Sequence, residues 1–426
     1  MLDFYQNRIK MSGIEVKFHN ILIERRMNLP PQDLDNNQTG SNISRIAILV
    51  ETFNSWGRGI IQGISNYERA HEPWHFFLDP HSGIEDNIRM PAGWKGEGVI
   101  APVRSLKLAE QLKKLNVPVV NVSGVDLPEV DFPRVISDPP AIIRMAIEHL
   151  LNDCGFTNIA FCGEPNRKFL DFWAEAFKTV ISEYNIDPII YTPPKGITTR
   201  SGIAAKQKDR QRWIEELPKP IGILGWDTMM SRHLTQDCER IGLKVPDNVA
   251  IISMETEDLL GEIAHPPISG VSLALGRIGY EAAALLNKLI ENPTQPPETI
   301  LIPPLYVTAR QSTSIYAVED PRLRQALAYI RDHACEGITV NDLLDKVAVS
   351  RRVLERLFKK VLETTPSAEI TRYRMTKIKE LLLKTNMPIP AIAAACGFRY
   401  TENMIPFFRK KTGLSPLAYR KKMQPR

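Results

Sequence analysis

Two periodicities that belong to different folds divide this chain, and the division constrains it more than anything else in the sequence. From Arg45 short apolar runs (RIAILVE, WHFFL, GEGVIAPV, VPVVNVSG) alternate with amphipathic stretches (GIIQGISNYERA, SLKLAEQLKKL). A second series follows ISDPP: AIIRMAIEHLLNDCG, NIAFCGE, FWAEAFKTVISEY, DPIIYT, QRWIEEL, PIGILGW, TMMSRHLTQDCERIG and VAIISM. Strand and helix signals at this spacing imply βαβ units and parallel sheets, and two consecutive series imply two α/β lobes. After IPPLYVTARQSTSIYAVEDP the strands stop, and the pattern is helical to the end. The expected boundaries are an unpacked segment over 1–42, where PPQDLDNNQTGSN carries no periodicity, a two-lobed domain over 43–314 and a helical domain over 319–426.

Charge follows the same division. The net charge of +5 splits into +11 from Glu319 onward and −6 before it, which points to a polyanionic partner for the helical segment alone. No apolar run reaches the ~20 residues of a membrane span, and the N-terminus has no continuous apolar stretch of the secretory kind, so the expected address is the cytoplasm, with no membrane partner. Met11 and Met27 are alternative starts. The five cysteines are scattered without a CxxC pair, so buried reduced thiols are expected rather than a disulfide framework or a zinc site.

The helical segment repeats one design. Leu343, Leu344, Val347 and Ala348 share a face, and after Val349-Ser350 the residues Leu354, Leu357, Phe358 and Val361 recur at i, i+3, i+4, i+7. About 50 residues on, Ile389, Ile392, Ala393 and Cys396 make a face that Gly397 ends and that Met404, Phe407 and Phe408 resume. Two helix-turn-helix units result, joined by EITRYRMTKIKELLLKT. In the first, Ser350 is placed to cap the second helix, whose outer side carries Arg351, Arg352, Glu355, Arg356, Lys359 and Lys360. Arg bonds guanine bidentately and Glu accepts from cytosine, so Arg352, Glu355 and Arg356 suit base edges, and Arg351, Lys359 and Lys360 suit phosphates. An ordinary solvated face has the same composition, and the repetition of the design favours DNA.

The stretch IAAACGFRYTENMIPFFRKKTGLSPLAYRKK resembles the second half of AraC-type DNA-binding domains, with their IA..CGF, F..F+ and G.SP..YR pattern. The resemblance implies two recognition helices in successive major grooves of double-stranded DNA, with Thr401, Glu402 and Asn403 in reach of the second. Met404 stands where the family has Phe, and Pro406 lies inside the second recognition helix, where it removes a hydrogen bond and weakens that unit.

The α/β part resembles LacI-type, periplasmic-binding-protein-like sensors through EHLLNDCGFTNIAFCGEP, ERIGLKVPDNVAIISMETEDL and GRIGYEAAALLNKLIENP. The implied fold is two parallel-sheet, Rossmann-like lobes that hold a small-molecule effector between the carboxyl ends of their strands. A sensor of this kind ahead of an AraC-type reader resembles the XylR-like regulators, which implies a sugar or sugar-derived effector, an operator in DNA, a homodimer, and RNA polymerase as partner of an activator, with no cofactor and no enzymatic activity. By position the resemblance places Arg58, Asp227 and Glu255 at the ligand, with Phe53, Trp56 and Trp226 available to stack. Asp227 equally suits a helix cap before Thr228. Glu255 replaces the usual Asp, Pro102 and Arg104 stand where related sensors carry acids, and Trp173 falls near a usual Arg. Xylose, and another sugar or sugar-derived acid drawn by Arg58 and Arg104, therefore both remain.

The rival class is an α/β enzyme. Gly57-Arg-Gly59-Ile-Ile-Gln-Gly63 follows a strand, but its last spacing is one too long for a dinucleotide fingerprint. No P-loop, HExxH or GxSxG occurs, and His71, His75 and His81 straddle a strand pattern better suited to packing than to a metal.

Overall fold

The computed structural model describes residues 43–79, 94–163, 168–192, 200–293, 296–314, 320–362 and 364–423. The expectation of an unpacked N-terminal segment, and His81, fall outside these residues.

The first sheet runs β11-β5-β4-β3-β1-β2, from Thr299–Ile302, Arg134–Ser137, Val119–Asn121, Gly98–Ala101, Ser44–Ile48 and Trp74–Leu78. The second runs β12-β10-β9-β8-β6-β7, from Tyr306–Thr308, Ser269–Ser272, Val249–Ser253, Ile221–Gly225, Asn158–Cys162 and Ile189–Ile190. All pairings are parallel except that of β10 with β12. The central strands are buried along their whole length, as sheets covered on both faces by helices require.

The lobes are not the two consecutive segments that the sequence suggests. After β5 the chain enters the second lobe through α3 (Pro139–Glu148), which Asp138 caps with two prolines in the first turn. It leaves after β10, because α8 (Leu275–Glu291) packs in the first lobe with Ile60, Ile64 and Val120. It stays in the first lobe through β11, which adds to the edge of the first sheet, and crosses again to β12. Three strands of chain therefore join the lobes, a consequence of pairing that hydrophobic period alone does not reveal.

Helices α1 (Ser55–Ala70) and α8 meet so closely that glycine is required at the crossing. A Cβ on Gly63 would sit 2.0 Å from the Gly276 carbonyl oxygen, and one on Gly279 would sit 2.0 Å from that of Ile60. Gly59 and Gly63 thus serve helix packing, while Gly57 makes room for the Glu51 carbonyl, so the run follows packing and not a nucleotide-binding spacing. His71 is likewise a packing residue: its ring stacks on Tyr67 at 4.0 Å, with Nδ1 2.8 Å from the Tyr67 carbonyl oxygen.

The helical part builds two small cores. In the first, α9 (Pro321–His333), α10 (Val340–Val347) and α11 (Arg351–Leu362) bury Leu327, Leu343, Leu354 and Phe358. In the second, α13 (Ile389–Ala395), α14 (Thr401–Thr412) and α15 (Pro416–Met423) bury Ile392, Met404, Phe408 and Tyr419. The long helix α12 (Pro366–Lys384) runs between them, giving Ile370 to one core and Ile378 and Leu382 to the other.

Candidate DNA-reading face and interlobe cleft

In the first reader unit the capping box of Thr339 and Asp342 starts α10, and left-handed Ala348 (φ 54°) ends it. The Ser350 hydroxyl, accepting from the Val353 amide at 3.4 Å, then starts α11. Burying Leu354, Leu357 and Phe358 leaves Arg351, Arg352, Glu355, Arg356, Lys359 and Lys360 exposed along the opposite side, as the apolar spacing requires. Arg351 and Glu355 are paired at 2.9 Å, a contact between two expected DNA-reading groups. An exposed i,i+4 pair is worth only about 0.3–0.5 kcal/mol, so DNA can exchange it at little cost.

In the second unit α14 runs unbroken from Thr401 to Thr412 with Pro406 inside it. Met404 and Phe408 are fully buried, so Met404 fills the Phe position without loss of the core. Glu402, Asn403 and Pro406 are exposed, while Thr401 is half-buried at the helix start.

The sensor cleft draws on both lobes. Glu51 follows β1 and is 2% exposed; its Oε1 takes a 2.6 Å ion pair from Arg104 Nη2, and its Oε2 is buried without a hydrogen-bond partner. Arg104 follows β3, and its guanidinium lies 5.3 Å from the centre of the Trp56 ring. The Asn121 side chain fixes this loop by accepting from the Val103 and Ser123 amides. From the second lobe comes Glu255, after β9, whose carboxyl is pushed up to about 7. Burial is the main cause, the neighbouring carboxylates of Asp227 and Glu257 add to it, and Arg104 across the cleft opposes it.

Other expected ligand residues have their own tasks. Asp227 caps α6 (Thr228–Arg240), accepting at 2.6 Å from the Met230 amide. Trp173 is 7% exposed in the second lobe's core and meets Trp226 edge-on at 5.6 Å, which makes it wall rather than a polar contact of the kind the related Arg supplies. Phe53 is 62% exposed, and exposed Arg58 donates at 3.0 Å to the Thr52 carbonyl. Glu51 escaped the sequence reading, although a carboxylate ending an apolar strand, at the edge where α/β folds bind ligands, was the available signal.

The sensor and reader also meet. The second lobe's α3 ends in a π-turn, His149–Asp153, which places His149 Nδ1 2.8 Å from Asp153 Oδ2. The same Asp153 oxygen is 2.9 Å from Arg372 on α12. Tyr306, just past the third crossing, is buried in the reader's second core beside Ile378 and Leu382. A cavity of about 760 Å³ opens between these contacts.

Comparisons with known proteins agree with this architecture. Residues 45–137 match an XylR N-terminal domain, 147–313 a periplasmic binding protein-like domain and 343–422 a helix-turn-helix domain. The xylose operon regulatory protein of Escherichia coli strain K12 is 29% identical over 384 residues, covering 88% of this chain and 96% of its own. Its counterpart in Haemophilus influenzae is 28% identical over 388 residues, covering 88% and 98%. The solved structure of the xylose-binding transcription activator XylR superposes with a TM-score of 0.57 at 28% identity, over 90% of this chain and 99% of that one. The chain thus joins an XylR-like, periplasmic-binding-protein-like sensor to an AraC-type helix-turn-helix domain, the make-up of a DNA-binding transcriptional regulator, and is similar along most of its length to xylose operon regulatory proteins.

Proposed function

We propose that this regulator senses a neutral sugar, with xylose as the first candidate, and activates transcription in response. The observation that carries the reading is the acidic character of the cleft. Glu51, with a buried oxygen left to accept, and Glu255 stand on opposite lobes, and among the described residues the cation that acts on Glu255, Arg104, is already paired with Glu51. Carboxylates accept hydrogen bonds from sugar hydroxyls, whereas a sugar acid would bring a further negative charge to a site where Glu255 already resists ionisation. The Trp56 ring beside Arg104 supplies an apolar face for a pyranose. The names of the relatives, xylose operon regulatory proteins and a xylose-binding activator, point the same way.

The ligand-binding set is Trp56, Arg104, Asp227 and Glu255 with Glu51 added, flanked by Phe53, Arg58 and Trp173. The DNA-binding set is Arg351, Arg352, Glu355, Arg356, Lys359 and Lys360 in the first unit and Thr401, Glu402 and Asn403 in the second. The protein acts in the cytoplasm as a homodimer that engages RNA polymerase; among the described residues no helix is long and apolar enough to cross a membrane. Ligand binding closes the lobes and shifts the population of reader arrangements. A thermal-shift screen against pentoses, hexoses and uronic acids tests the reading. Stabilisation by a neutral pentose, lost in Glu51→Gln, is the expected result; stabilisation by uronic acids alone would overturn it.

A further inference from the structure

The two reader units touch at one joint, and the joint contains two thiols. Cys335 lies in the turn after α9, at 334–336, and Cys396 caps the end of α13. Both turns close on left-handed glycines, Gly337 (φ 85°) and Gly397 (φ 76°), and their backbones are in contact. A Cβ added to Gly397 would lie 2.6 Å from the Gly337 nitrogen and 2.9 Å from the Cys335 carbonyl oxygen. Arg374, from the middle of α12, holds both turns. It donates to the Ala334 and Ile338 carbonyls at 2.7 and 2.9 Å, and its guanidinium lies 5.8 Å from the centre of the Phe398 ring.

The close approach of Gly397 to the Cys335 backbone sets the adjoining Cys396 beside Cys335, and the two thiols interact. Cys396 is buried, whereas Cys335 is half-buried and lines the cavity between sensor and reader. The remaining cysteines, Cys154, Cys162 and Cys238, are all buried. The hydrogen bond from Cys396 lowers the Cys335 thiol from its ordinary value, with Lys377 and Arg374 adding to that effect and burial and Glu380 opposing it. The paired thiol and the two cations favour the thiolate that peroxide attacks, and the resolving partner is already beside it.

We propose that Cys335 and Cys396 form a peroxide-sensitive dithiol that oxidises to a disulfide stapling the two helix-turn-helix units together. The Cys335 thiolate attacks hydrogen peroxide: an S–O bond forms, the O–O bond breaks, and the hydroxide released takes up a proton as water. The Cys396 sulfur then attacks the resulting sulfenic sulfur. The S–S bond forms, the S–O bond breaks, and the departing hydroxide takes the Cys396 proton, so two thiols are oxidised and one peroxide is reduced to two waters. The staple closes a loop holding α10 to α13, which includes the first recognition helix, and so fixes the orientation of that helix relative to α14.

The full-length chain is treated with stoichiometric hydrogen peroxide, alkylated and digested with trypsin without reductant. The expected product is peptide 332–346 linked to peptide 385–399, reversed by dithiothreitol, with Cys154, Cys162 and Cys238 remaining alkylatable. In Cys396→Ser the reaction stops at a Cys335 sulfenic acid that dimedone traps, and in Cys335→Ser Cys396 stays reduced. Wild-type protein in which Cys335 proceeds to sulfinic acid while Cys396 remains free would overturn the proposal. So would a Cys335 that reacts no faster than the three buried thiols.

Discussion

Glu255 carries the residue-scale argument because its position forces a titration that a surface carboxylate would not show. Its folded value of about 7 lies above the ordinary 4.5, so the folded chain holds a proton that the unfolded chain has released. Stability from this group is therefore fully present below about 4.5 and is lost as pH rises through about 7, by a few kcal/mol at most. Glu255→Gln, which keeps the shape without the charge, should remove that slope, raising the melting temperature at pH 7.5 while leaving it unchanged at pH 4; equal shifts at both pH values would refute the assignment. The sequence offered Glu255 only by its place in a motif. What it did not offer is the company of Asp227, Glu257 and Arg104, since these approach through two different sheets. Glu51 was hidden for the same reason: its importance lies in a pairing with Arg104 53 positions away.

At the scale of elements the two recognition helices differ in kind. On α11 the exposed cations are distributed over three turns, so Arg356→Ala should cost about 1–3 kcal/mol of binding and relax selectivity at one base pair, while Lys359→Ala should weaken all duplexes alike and lower the salt slope by about one. Equal losses across sequences for both variants would remove α11 from the major groove. On α14, Pro406 leaves the Glu402 carbonyl without its helical donor, yet the helix continues because Met404 and Phe408 anchor it from the buried side. Pro406→Ala should accordingly stabilise the reader by about 1–3 kcal/mol in chemical denaturation, and no gain would mean that the helix has already relaxed around the ring. These helices were legible in the sequence because a 3.6-residue period with caps is a local property. The sheets were legible as strands but not as an order: nothing in the run ETILI shows that it joins the first sheet beside β5, and that pairing is what makes the lobes interleave.

The molecule as a whole must carry a signal from the cleft to the reader, and two of the contacts that cross that boundary reach α12. Tyr306 follows the third interlobe crossing directly, so a rotation of one lobe against the other moves the ring that is buried beside Ile378 and Leu382. Arg372 ties the same long helix, α12, to Asp153 at the π-turn ending α3, the element that follows the first crossing. Lobe closure therefore pulls on α12 from two hinges, and α12 is the helix that spaces the recognition units. Truncating Tyr306 to Ala removes a buried aromatic worth about 3–5 kcal/mol, and Arg372→Ala strips Asp153 of its reader partner. The double variant should melt in two calorimetric transitions, sensor and reader separately, with ligand raising only the first, where the intact chain melts as one unit that ligand raises throughout. It should keep the ligand affinity of the intact chain but lose the ligand's effect on operator binding, since the coupling free energy resides in this joint and not in either site. An intact chain that already shows two independent transitions, with operator affinity still responding to ligand, would place the coupling elsewhere, in the arrangement of paired protomers.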